Sequence, residues 1–277
     1  MPTISAFADE ISPDLKTQMD VCASVGVHCI DVRGIDNTNV SQFTLKQTRD
    51  YKKMFDDRQF TMPCVGSPLG KIRIDEAFGP HLDLLKHCCD VAHIFDAKYI
   101  RIFSFYGPLA GQVADHRRQV LDNLWQMVKV AQDAEIVLLH ENEHAIYGDL
   151  PGRVKELFAE IKSPHFQGIF DPGNFVHEGL KPFDDCWTQG LAELTQYFHI
   201  KDKATPEAPA CCPAGQGNGQ CREILADAKK RGFDGYMTLE PHMQQAGQFS
   251  GFTGPELFVK AAEGLRKICD EVGMDWK

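Results

Sequence analysis

Eight short apolar or β-rich runs recur along the chain at intervals of roughly 25–40 residues, about one strand plus one helix of a βα unit. They are TISAFAD (3–9), HCIDVRG (28–34), FTMPCVGS (60–67), KYIRIFSF (98–105), EIVLLHEN (135–142), FQGIFDPGN (166–174), QYFHIKD (196–202) and GYMTLEPH (235–242). Between them, stretches such as HLDLLKHCCDVAHIF and HRRQVLDNLWQMVKVAQDA place apolar residues three and four apart, as amphipathic helices do. Ser12-Pro13 reads as the cap and first-turn proline of the first helix, and Gly232 as the stop of a late one. Alternating strands and helices with right-handed crossovers predict a parallel sheet of the α/β class. No linker, charge block or low-complexity tract divides the chain, so residues 1–277 are expected to close as a single (β/α)8 TIM barrel. An open doubly wound sheet would need a glycine fingerprint after the first strand, and FADEISP has none.

In a barrel, the C-terminal ends of the strands converge on one mouth. The corresponding residues of the eight runs are Asp9, Arg33, Ser67, Ser104, Glu141, Asp171, His199 and Glu240. Four consecutive strands thus deliver three carboxylates and a histidine. Each alone fits a solvated residue or a helix cap. Together they would be forced into one small volume, where like charges cannot all stay ionised without a cation. One divalent metal held by Glu141, Asp171, His199 and Glu240 resolves this, and explains why the buried run IVLL leads straight into His140-Glu141. The oxygen-rich set suits Mn2+ or Mg2+, and the histidine admits Co2+ or Zn2+.

The neighbours Asn142, His144, Asn174, Lys201 and His242 are candidates for orienting a polyhydroxylated substrate. Lys71, in the loop GSPLGK, could meet an anion, and Arg101, inside a strand, needs a partner: a substrate group or a structural ion pair. The stretch PAGQGNGQCREIL (213–225) places three glycines ahead of a helix, as a phosphate-binding turn does and as a flexible lid also does.

The net charge of −10 argues against a surface built for nucleic acid, while leaving room for an anionic substrate beside a bound cation. No apolar stretch approaches the roughly 18 residues of a membrane span. The start, MPTISAFADEIS, shows no basic region followed by an apolar one, and the ten scattered cysteines read as reduced thiols, so a cytoplasmic location is expected.

The segments LLHENEHAIYGD, FDPGNF, FHIKD, GQGNG and GFDGYMTLEPH, in this order, resemble the xylose-isomerase-like barrels of the sugar phosphate isomerase/epimerase group. That group includes ketose 3-epimerases, inosose and dehydroshikimate dehydratases, and endonuclease IV. The likeness runs over essentially the whole chain. It implies an enzyme of carbohydrate metabolism in which Glu141, Asp171, His199 and Glu240 bind one divalent metal, with Glu141 and Glu240 also the catalytic acid–base pair. These would pass a proton between opposite faces of a sugar, sugar phosphate or polyol through a metal-stabilised enediolate. The alternative is a dehydratase that uses the same metal and base to expel a β-hydroxyl. Asn174 departs from the epimerases, which carry a histidine three residues after the metal-binding aspartate. Ser67 and Ser104 stand where a trinuclear nuclease needs histidines, which with the acidic charge argues against DNA repair. A non-catalytic barrel that binds sugar or metal for regulation is a further class. Barrels of this kind commonly pair, so a homo-oligomer is an open expectation.

Overall fold

The structure, a computed structural model, describes residues 1–244 and 252–277. The strands are β1 (Thr3–Ala6), β2 (Gly34–Ile35), β3 (Thr38–Asn39), β4 (Cys64–Val65), β5 (Tyr99–Ile102), β6 (Val137–Glu141), β7 (Phe166–Phe170), β8 (Thr195–Ile200) and β9 (Tyr236–Leu239). Seven of them form one parallel sheet in the order β1-β9-β8-β7-β6-β5-β4, while β2 and β3 make a small antiparallel hairpin. The second apolar run closes the ring between β1 and β4 without forming a regular strand. Asp31 N–H donates to Ala6 O (3.0 Å), Thr61 N–H to His28 O (3.0 Å) and Gly66 N–H to Val32 O (2.8 Å), with isolated parallel bridges at Cys29–Thr61 and Val32–Val65. The fold is the expected TIM barrel, with seven regular staves and one irregular one.

The helices are α1 (Leu15–Ser24), α2 (Leu45–Asp57), α3 (Phe78–Phe95), α4 (Arg117–Asp133), α5 (Pro151–Glu160), α6 (Pro172–His177), α7 (Cys221–Lys230) and α8 (Pro255–Val272). The cap of α1 differs from the sequence reading: Asp14, not Ser12, accepts from Thr17 N–H, and Ser12 Oγ instead accepts from Asp14 N–H. A carboxylate two residues later is the better acceptor for the first turn. The α2 start carries a full capping box between Thr44 and Gln47. Gly232 follows α7 in a left-handed conformation, as expected. All ten cysteines are free thiols, and among the described residues no helix is long and apolar enough to cross a membrane.

Inside the ring, below the mouth, Tyr99, Tyr197 and Tyr236 pack on one another, with the Tyr197 and Tyr236 rings stacked at 5.4 Å. Asp31 is fully buried here and accepts hydrogen bonds from Ser5 Oγ (2.9 Å), Tyr197 OH (2.7 Å) and Thr238 Oγ (2.6 Å). Its side chain therefore ties the irregular stave to β1, β8 and β9. Burial pushes the Asp31 carboxyl above its ordinary range, against the pull of these hydroxyls.

Two buried histidines predict an acid-labile fold. His81 on α3 accepts the Gly70 N–H at 2.7 Å, and His140 on β6 shares a 2.9 Å hydrogen bond with Ser104 Oγ. Burial lowers both to about 4 from the usual 6.5. Unfolded copies take up protons near pH 6.5 and folded ones only near 4, so the contribution is whole above about 6.5 and lost as pH falls towards 4. Each histidine should cost up to about 3 kcal/mol over that window. Urea midpoints between pH 7 and 4.5 should fall accordingly, and less steeply in His81→Gln; equal slopes would refute the assignment.

Candidate active site

Glu141 is the last residue of β6, Asp171 follows β7 and caps α6, His199 lies in β8, and Glu240 follows β9. All four are buried, and one ligand atom from each lies within 4.8 Å of the others. Bonds of about 2.0–2.2 Å to a central ion put opposite donors about 4.0–4.4 Å apart at most, so this spacing fits one divalent ion after a small contraction. His199 Nδ1 faces the carboxylates of this set, while its Nε2 is a buried atom with no hydrogen-bond partner.

The crowded carboxylates do not depend on a cation alone, because the chain supplies its own counter-charges. Lys201 Nζ stands 2.8 Å from Asp171 Oδ2, without hydrogen-bond alignment, and 3.3 Å from Glu240 Oε2. Arg101 lies 3.2 Å from Glu141 and 3.7 Å from Glu240. Arg33 contacts Glu240 at 3.2 Å, Asp9 at 2.7 Å and Glu10 at 3.7 Å. His199 Nδ1 bridges Glu141 Oε1 (2.8 Å) and Glu240 Oε2 (3.2 Å).

These contacts set the protonation pattern. Burial pushes Glu141 upward, but the His199 charge, helped by Arg101, more than offsets it and holds the carboxyl well below its ordinary range. Glu240 is likewise lowered, with Lys201 and His242 overcoming burial. Burial wins at Asp171, which Lys201 only partly offsets and the two glutamates push further up. His199 is raised despite burial because Glu141 stabilises its cation. Two ionised glutamates therefore flank one carboxyl of raised affinity for protons.

The substrate-binding candidates separate into groups. Lys201, Arg101 and His242 face the cage; His242 Nε2 sits 3.3 Å from Glu240 and 3.2 Å from Glu10. Asn174 lines it more weakly, donating to Asn142 O at 2.8 Å and reaching Glu141 Oε1 at 3.5 Å. Asn142 exchanges both its amide groups with the Asp171 backbone, at 2.9 Å each, so it locks β6 to the start of α6. Lys71 pairs with Glu143 at 3.1 Å over the Phe103 ring. His144 is more than half exposed and binds Glu178 at 2.6 Å.

Sequence reading gave no role to Glu10, Arg33 or Phe7. Glu10 accepts from His242 N–H (2.8 Å) and Thr253 Oγ (2.6 Å), joining the first strand end to the last loop. The Arg33 and Arg101 guanidinium groups both lie over the Phe7 ring, at 4.9 and 4.7 Å, and Phe7 meets His199 edge-on at 5.0 Å. The available signal was a basic residue at the end of the second apolar run, opposite an acid-rich set.

The glycine loop is neither an open anion turn nor a free lid. Asp202 reaches into it and accepts N–H groups from Gly215 (2.8 Å), Gly217 (3.0 Å) and Gly219 (2.7 Å), as well as from Lys203 (2.8 Å). The amides a phosphate would use are taken by a built-in carboxylate. A Cβ on Gly219 would stand 2.7 Å from Asp202 Oδ1, and one on Gly217 would collide with the same oxygen and with Lys203 O.

Residues 19–268 match the family model described as the xylose isomerase-like TIM barrel. The chain belongs to that family. Its resemblance to the group was thus legible in the sequence, and solved structures share its architecture. A D-tagatose 3-epimerase-like protein superposes with a TM-score of 0.77 at 17% identity, over 98% of both chains. The probable 3-DHS dehydratase AsbF, involved in petrobactin synthesis in Bacillus anthracis, gives 0.74 at 16% identity, over 96% of this chain and 99% of that one. A xylose isomerase-like TIM barrel protein from Mycobacterium smegmatis, in complex with magnesium, gives 0.75 at 13% identity, over 99% and 98%. No curated protein sequence matches the chain. At such identities the structural likeness establishes the fold, and the xylose isomerase-like family covers enzymes of more than one reaction.

Proposed function

We propose that this protein is a divalent-metal-dependent isomerase or epimerase of a sugar, sugar phosphate or related polyol. The observation that carries this reading is the buried set Glu141, Asp171, His199 and Glu240, with donor atoms from four adjoining strands within 4.8 Å. A divalent ion held there, Mn2+ or Mg2+ for the oxygen donors with Co2+ or Zn2+ admitted by His199, supplies Lewis-acid polarisation of a substrate carbonyl.

The other tasks fall to side chains. Glu141 and Glu240 are the ionised carboxylates, and we assign them the removal and return of the α-proton. His199, Arg101 and Arg33 keep them ionised by contact, so neither wastes its charge by taking a solvent proton. Lys201 neutralises Asp171 and Glu240 and would compete with an ion for their oxygens. Asn174 and His242 remain the groups we assign to substrate hydroxyls, while Asn142 acts by holding Asp171 in place.

A dehydratase reading has one supporting observation. His242 is about a quarter exposed, stands 3.3 Å from Glu240, and could hand a proton to a leaving hydroxyl. Incubating metal-loaded protein with ketoses and cyclic polyol ketones in D2O separates the two. Deuterium at the α-carbon without loss of water supports the isomerase, and an absorbing enone supports the lyase. Protein that neither retains an ion nor exchanges any α-proton would overturn both.

A further inference from the structure

We propose that Lys203 and His177 form an anion-binding subsite at the barrel mouth, which takes a carboxylate or phosphate group of the substrate. The inference rests on the reading of this mouth as the active site and narrows its substrate class. Lys203 is only 9% exposed, and its ammonium lies 2.6 Å from His177 Nδ1. Among the described residues no carboxylate comes within salt-bridge distance of it. Every other basic side chain of the mouth has one: Arg33, Arg101 and Lys201 contact the cage acids, and Lys71 contacts Glu143. Residues 245–251, QAGQFSG, contain no acid that could serve.

A desolvated ammonium without an anion is costly. Burial lowers the Lys203 pKa first; Cys211 opposes this, Lys201 adds to it, and Glu207 opposes it least. His177 is also lowered, by burial first and then by Lys203 and His144, against a smaller opposing pull from Glu178 and Glu143. A neutral His177 that accepts at Nδ1 carries its proton on Nε2, so the pair offers only donors and a net positive charge. That is the complement of an oxyanion. Lys203 is also held in place, because its N–H donates to Asp202 Oδ1 and its carbonyl accepts from Asn218 N–H, both at 2.8 Å.

The test is titration calorimetry on ion-free, extensively dialysed protein with D-gluconate, inorganic phosphate and the neutral D-sorbitol. At least one anion should bind about tenfold or more tighter than sorbitol, and the responding arm distinguishes carboxylate from phosphate. Lys203→Met should weaken that binding about tenfold or more, while Lys203→Arg and the exposed, distant Lys46→Met should stay within about threefold. Equal binding of sorbitol, an unchanged Lys203→Met, or an equal loss in Lys46→Met would overturn the proposal. If Lys203→Met does not fold, acetylation of Lys203 in the wild type should be slowed about fivefold or more by the anion and not by sorbitol; no protection overturns it. Because the metal is absent throughout, failure of the metal-centre reading leaves this result untouched, and the converse also holds.

Discussion

Glu240→Gln is expected to lower α-proton exchange by at least about a thousandfold while leaving a folded barrel. The substitution keeps the side-chain volume but removes a proton acceptor and a charged ligand oxygen. It also deprives Arg33, Lys201 and His242 of one shared anion, since all three contact this carboxylate. Removing one partner from a buried charge network costs about 3–5 kcal/mol, so the melting temperature should fall as well. Glu141→Gln should behave similarly, with Arg101 and His199 as the groups left short of charge. Asn174→Ala, by contrast, removes a 2.8 Å hydrogen bond to the Asn142 carbonyl and a weak 3.5 Å contact to Glu141, and should lower ion affinity by no more than about tenfold. Deuterium incorporation, ion titration and circular dichroism on the same preparations separate these effects. Exchange within about tenfold of wild type in a folded Glu240→Gln protein would remove this residue from the acid–base pair.

Asp202→Ala should cost about 3–5 kcal/mol of stability, because four backbone N–H groups converge on this buried carboxylate. Asp202→Asn should recover little. Its amide keeps one acceptor oxygen but turns an NH2 group towards N–H donors, replacing attraction with repulsion. Gly217→Ala tests the same clasp from the other side, since the added methyl meets Asp202 and the Lys203 backbone. Urea unfolding of the three variants reads the effect directly, and a loss under about 1 kcal/mol in Asp202→Ala would show that the loop does not depend on it.

Much of this architecture could be read from the chain. Buried parallel strands announce themselves as short apolar runs, and the punctuation between them gave the barrel. The meeting of Glu141, Asp171, His199 and Glu240 was legible because each sits at a strand end, where the run stops and the mouth begins. HCIDVRG was legible as a stave but not as an irregular one, since hydrogen-bond regularity depends on neighbours that the local sequence does not encode. The counter-charges were harder still. Arg33 and Arg101 lie 68 positions apart and meet through Phe7, a long-range contact with no spacing signature. The glycines before α7 showed that the backbone must approach something closely, but not that the approaching group was the chain's own Asp202.

The tyrosine floor and the Asp31 knot beneath the mouth have a consequence for traffic. With Tyr99, Tyr197 and Tyr236 packed together and Asp31 bound to three hydroxyls, side chains fill the barrel beneath the mouth among the described residues. A reactant is therefore expected to enter and leave by the mouth. If Glu141 and Glu240 are the proton carriers proposed above, a half-finished product should stay within their reach until that mouth clears.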